Sequence, residues 1–141
     1  MELALLIATW SKDPSTRVGA VVVGPDKEIR GTGYNGFPRG IDDDIAARWE
    51  RPIKYNFIEH AERNCIYNAS LYGVSLRGCS LYISYPPCTE CARAIIQSGI
   101  KEVFYMNPMA GANIPGWRDS VRLSFDMFDE AGIKHAELGI D

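Results

Sequence analysis

At 141 residues the chain has the length of one compact domain, enough to bury roughly two thirds of its unfolded surface. Hydrophobic residues make up 46% and charged residues 23%, a balance that excludes a disordered or fibrous chain. The net charge of −3 and a pI near 5.4 argue against a polynucleotide partner, because binding to backbone phosphates needs a basic field.

Residues 1–10 (MELALLIATW) are apolar, yet too short to span a membrane and without the basic start and cleavage pattern of an export signal. Leu3, Leu6, Ile7 and Trp10 fall at helical spacing, so the segment reads as a packed helix ending near Ser11, where the turn-forming S-K-D-P begins. Residues 18–23 (VGAVVV) and 28–34 (EIRGTGY) flank a G-P-D-K turn and form a hairpin. Residues 35–57 carry Gly, Pro and three consecutive aspartates with few periodic apolar positions, which predicts a long loop with at most a turn of helix. Helices are expected over 61–71, 89–97 and 118–131, the last closed by Gly132, and strands over 80–84, 102–106 and 133–138. The alternation of strand and helix implies parallel pairing after the first hairpin. The fold class is therefore α/β: one domain over 1–141, a mixed sheet of about five strands with helices on its faces.

Two short patterns carry chemistry. His60, Ala61 and Glu62 open one expected helix, and Pro87, Cys88, Thr89, Glu90 and Cys91 open another. Two cysteines three positions apart at a helix start place both sulfurs on one side, where the amide dipoles favour thiolate. One imidazole completes a His-Cys-Cys set and leaves the fourth tetrahedral position open, as a catalytic zinc requires. Glu62, two residues beyond His60, stays outside the ligand shell and is placed to move protons. H-x-E combined with P-C-x-x-C is the signature of zinc-dependent base deaminases. Either half alone is weak, since C-x-x-C also serves structural zinc and redox pairs. Cys65 and Cys79 lack ligand-type neighbours and read as core residues of a reduced, cytoplasmic protein. His135 reads as a surface or edge residue.

Beyond these motifs, S-K-D-P-S-T-R-V-G-A at 11–20 and G-Y-N-G-F-P at 33–38 extend a resemblance to the deoxycytidylate deaminases, within the cytidine deaminase superfamily, over nearly the whole chain. The resemblance implies a three-layer cytidine-deaminase-like sandwich, one catalytic zinc per subunit, and hydrolysis of dCMP, with dCTP also a candidate substrate, to supply dUMP for dTMP synthesis. It further implies a homohexamer in which dCTP activates and dTTP inhibits through a site holding Gly33, Tyr34, Asn35, Gly36, Phe37 and Arg39. A plain β-turn at Asn-Gly is the simpler account of that segment.

Asn35 has a second candidate role, a hydrogen bond to the substrate sugar, and the sequence does not separate the two. Ala61, Tyr85 and Pro87 are expected along the base, with core packing an equal account of Tyr85. Trp117 and Arg118, at a helix start, are the preferred phosphate clamp; Trp replaces the Tyr usual in relatives. Arg17 and Lys12 are secondary candidates. Asp42, Asp43 and Asp44 could accompany a triphosphate-bound Mg²⁺, although a solvated loop explains them as well. Two alternatives stand: a deaminase of another cytosine or purine nucleoside or base, and a zinc-stabilised binding module without catalysis, against which Glu62 argues.

Overall fold

In the computed structural model, which describes residues 1–107 and 114–139, five strands form one mixed sheet in the order β2-β1-β3-β4-β5. In chain order the elements are α1 (Glu2–Ala8), β1 (Gly19–Val23), β2 (Ile29–Tyr34), a 3₁₀ turn (Ala46–Trp49), α2 (Lys54–Phe57) and α3 (Ala61–Leu71). They continue with β3 (Ser80–Ile83), α4 (Thr89–Gln97), β4 (Glu102–Tyr105), α5 (Trp117–Ala131) and β5 (Lys134–Glu137). β1 pairs antiparallel with both β2 and β3. β3, β4 and β5 run parallel, each reached through a helix, which is the pairing the strand and helix alternation calls for.

The β-branched run of β1 is buried on both faces and therefore has no polar alternation. Its alternate residues divide the interior into two layers. Ala20 and Val22 join Leu81, Ile83 and Val103 beneath α3, α4 and Phe128 of α5, with Cys65 and Cys79 among them. Val21 and Val23 face the other way, against Ala4 and Ile7 of α1. At about 25 cal/mol per Å² of apolar area, burial of this kind is what opposes the entropy of ordering the chain.

The first helix differs from its expected form. It ends at Ala8, and only the Ala4, Ile7 and Ala8 side is buried, leaving Leu6 and Trp10 each 56% exposed. The helix is short and lies on the outside of the sheet, so one stripe suffices to hold it. His135 is on the edge strand, as expected, but half-buried: its ring stacks on Phe125 with centroids 4.8 Å apart, and Nε2 lies 2.8 Å from an Asp129 carboxylate oxygen.

Gly33 fixes the distance between β2 and α3. A Cβ on it would lie 2.3 Å from the Cys65 backbone nitrogen and 2.4 Å from the Ala61 carbonyl oxygen. Those are main-chain atoms of α3, so the helix itself would have to move. Gly33→Ala should accordingly cost at least about 1–3 kcal/mol in denaturant unfolding and shift the start of α3. A variant as stable as the parent would contradict this packing.

Candidate active site

His60 and Cys88 occupy equivalent places, the N-caps of α3 and α4. Each has extended backbone angles, φ −75°, ψ 154° and φ −78°, ψ 171°, while its carbonyl already accepts the first helical bond, from Asn64 and Ala92 respectively. Caps usually turn a side-chain oxygen back onto the helix amides. Neither does so here; both side chains turn toward one another. The prolines before Cys88 favour the extended approach, and Cys91 follows on the first turn of α4.

The result is a compact donor set. Nδ1 of His60 lies 3.5 Å from the Sγ of Cys88 and 3.5 Å from the Sγ of Cys91, and the three donors lie within 4.8 Å of one another. A tetrahedral zinc with bonds of about 2.3 Å to sulfur and about 2.0–2.1 Å to nitrogen would separate S from N by about 3.5 Å, so the set fits that ion. The two thiols are driven apart in acidity. The hydrogen bond with Cys91 and then that with His60 pull Cys88 far down toward thiolate, while the bond to Cys88 and burial push Cys91 up. Burial lowers His60, but the Cys88 hydrogen bond and the charge of Glu62 outweigh it and leave the imidazole raised.

Glu62 is 3% exposed. Burial pushes its carboxyl up from the ordinary range against the opposing pull of His60, the direction that favours the protonated form. Arg63, the next residue, ties the two ligand-bearing helices together: its guanidinium bonds Glu59, just before His60, and reaches a Glu90 oxygen on α4 at 2.9 Å.

These groups open onto a cavity of about 550 Å³. Its walls come from the loop after α1 (Asp13, Thr16), from Asn35 at the end of β2, and from Arg51, Lys54 and Tyr55 in and before α2. Tyr85 and Trp117, their ring centroids 5.5 Å apart, supply an aromatic side. Of the residues singled out from the sequence, Asn35, His60, Ala61, Glu62, Tyr85 and Trp117 line this cavity. Pro87 is buried beneath the site, whereas Arg17 and Arg118 are exposed and do not line it. One residue along a helix is a turn of about 100°, enough to carry Arg118 away from the side that Trp117 presents.

Asn35 is held from every side. Its Oδ1 accepts from Val18 N at 2.8 Å, and its Nδ2 donates to Asp13 Oδ2 and the Thr16 carbonyl at 3.1 and 2.8 Å. Both amide donors are thereby committed, so the side chain latches the loop 11–18 onto β2. Asp13, 2% exposed, is the hub of this latch: Oδ1 caps the amides of Ser15 and Thr16, and Oδ2 lies 2.6 Å from Nζ of Lys54, itself 4% exposed. The sequence offered no pointer to this pair. Lys54 sits in a segment without periodicity, and a buried lysine is recognisable only once its carboxylate is placed beside it.

A second pocket of about 280 Å³ is lined by Tyr34, Gly36, Phe37, Arg39, Glu59 and Asn68, among others. Gly33 is not on it, being packed under α3, and Asn35 faces the large cavity. The acidic run is engaged by the protein itself: Lys12, from the loop after α1, pairs with Asp43 and Asp44 at 2.7 and 3.2 Å, and Asp42 accepts from the Asp44 amide at 2.9 Å.

Residues 1–107 match the family described as the cytidine and deoxycytidylate deaminase zinc-binding region. The mouse deoxycytidylate deaminase is 45% identical over 113 residues, which are 76% of this chain and 62% of that protein, so the matched part spans less than two thirds of the relative. A protein of Aliivibrio fischeri described as an uncharacterized deaminase is 39% identical over 140 residues, 99% of this chain and 91% of the relative. Among solved structures, the cyanophage S-TIM5 dCMP deaminase in complex with dCMP and dUMP superposes with a TM-score of 0.76 at 26% identity, covering 97% of this chain and 92% of that one.

The Asp13 and Lys54 pair makes the cavity wall sensitive to a single change. Lys54→Met keeps the packing of the stem but leaves a buried carboxylate without its cation, and should cost about 3–5 kcal/mol in urea unfolding. A loss below about 1 kcal/mol would show that the pair does not hold the loop.

Proposed function

The chain belongs to the cytidine and deoxycytidylate deaminase family, and from that premise we propose that it hydrolyses the exocyclic amine of a cytosine nucleotide, dCMP before others, to give dUMP and ammonia. The observation that carries the reading is a buried carboxyl, Glu62, two residues from His60, together with a donor set of three and not four protein ligands among the described residues. A structural zinc site closes with four protein ligands and has no use for such a carboxyl.

The roles divide as follows. His60, Cys88 and Cys91 would hold a zinc ion, which when bound would supply Lewis acidity and lower the pKa of a water towards about 7. Glu62 receives the first proton that the attacking water gives up and passes it to N3 of the base, then takes the second from the hydroxyl now bonded to C4 and delivers it to the amine as the C4–N bond breaks and C4=O forms. Burial raises the carboxyl above the ordinary range, which favours its holding a proton between the two transfers. Tyr85 and Trp117 wall the base plane. Asn35 holds the loop 11–18 against the sugar end, and Ala61 packs tightly below it, 0% exposed.

The second pocket supports a regulatory reading of the G-Y-N-G segment. Gly36 and Glu59 exchange backbone hydrogen bonds of 3.1 and 2.8 Å, so one wall of that pocket is joined to the residue before His60. We place the opposing effects of dCTP and dTTP there, on Tyr34, Gly36, Phe37 and Arg39, in a homohexamer of the kind the resemblance implies. We assign it a role in supplying dUMP for dTMP synthesis in a reducing, cytoplasmic setting, in keeping with Cys65 and Cys79 as unpaired core residues.

On zinc-loaded protein, ammonia should be released from dCMP faster than from cytidine or deoxycytidine, with dCTP raising and dTTP lowering the rate. Glu62→Gln should retain zinc while losing at least about 10²–10⁴ in kcat. A fully active Glu62→Gln protein would overturn the assignment of the proton carrier, and a rate indifferent to both triphosphates would remove the effector site.

A further inference from the structure

Three cations line the large cavity: Arg51, Lys54 and Arg63. Two of them are spent. Lys54 is paired with Asp13 at 2.6 Å, and Arg63 is bonded to both Glu59 and Glu90. Arg51 makes no ion pair among the described residues; its guanidinium carbon lies 5.9 Å from the ring centroid of Tyr55, another lining residue. Nor can the undescribed stretch supply a further cation, since residues 108–113 contain no charged residue. Arg17 and Arg118 lie off the cavity. Opposite the charge sum of this wall stand Asp13, Glu62 and Glu90, so a dianionic group entering the cavity meets one uncommitted positive charge.

The position of Arg51 matters as much as its charge. The donor set, Glu62 and the aromatic side come from the starts of α3 and α4, the segment after β3, and α5. Arg51, Lys54 and Tyr55 line the same cavity from before and within α2, and Thr16 lines it from the loop that Lys54 ties down through Asp13. The Thr16 amide is used by Asp13, whereas its hydroxyl has no partner among the described residues, which leaves a free donor on the lining of the cavity that Arg51 shares.

Resting on the deaminase reading for the base, we propose that Arg51 is the residue that selects a 5′-phosphorylated substrate, its guanidinium fork bonding two phosphate oxygens with Thr16 beside it. Arginine suits the task because its planar donors match phosphate geometry. Arg51 is exposed, and its contact with the Tyr55 ring is at the surface, so its replacement should leave the fold intact.

The test compares the parent with Arg51→Gln, Arg51→Lys and Arg118→Gln, all zinc-loaded. It measures kcat/KM on dCMP and on deoxycytidine, and calorimetric binding of dUMP and of deoxyuridine. Arg51→Gln should lose about ten- to hundredfold in kcat/KM on dCMP with deoxycytidine unchanged, and Arg51→Lys should recover part of the loss. Equal losses on both substrates, no loss on dCMP, or a dCMP-selective loss that follows Arg118→Gln instead would overturn the proposal. The binding arm judges Arg51 separately from the reaction. If the parent released no ammonia from any cytosine compound, the deaminase reading would fail. Arg51 would still stand if a preference for dUMP over deoxyuridine vanished in Arg51→Gln, and fall if that preference were absent or unaltered.

Discussion

Everything in the site depends on two helix N-termini lying side by side with their cap side chains turned away from their own helices. β3 runs beside β1, and the chain leaves it through two prolines directly into α4, while α3 begins where the α2 segment ends. Because α3 and α4 both pack on the same face of the sheet, their first residues meet. An N-cap is the one helical position with extended backbone and a side chain free of the helix surface, so His60 and Cys88 can face each other across the gap while Cys91 closes the third corner. The helix amides left without capping side chains add positive potential where thiolates must be stable.

Around that centre the structure commits its polar groups heavily. Asp13, Lys54 and Asn35 form a buried latch that fixes the loop 11–18, and Arg63 bridges the two helix starts. Such groups are costly to bury and tolerable only when satisfied, and among the described residues no buried side-chain nitrogen or oxygen lacks a partner. The cavity consequently presents few free charges. Of the cations that line it, Lys54 and Arg63 are already paired, and Arg51 makes no ion pair among the described residues.

The fold was legible because its elements follow simple periods. The β1 run, the strands entering α4 and α5, and Gly132 closing α5 in a left-handed conformation, φ +71°, all obey rules that act over a few residues. The donor set was legible for the same reason, its residues being near neighbours in two short motifs. What escaped was long-range. Asp13 and Lys54 meet only through the tertiary fold, and α2 is four residues long in a segment without apolar rhythm. The G-Y-N-G segment reads as one unit in sequence, yet strand alternation divides it: Gly33 turns under α3, Asn35 toward the large cavity, and Tyr34 outward to the second pocket. Trp117 and Arg118 are parted in the same way by helical rotation.

The chemistry proposed for this chain requires one zinc held by one histidine and two cysteines with a position left open. X-ray absorption spectroscopy at the zinc edge on the loaded protein reads that shell. One zinc per chain is expected, with two sulfur neighbours at about 2.3 Å and lighter ligands at about 2.0–2.1 Å, one of them exchangeable. A shell of four protein donors, or a sulfur count other than two, would contradict it.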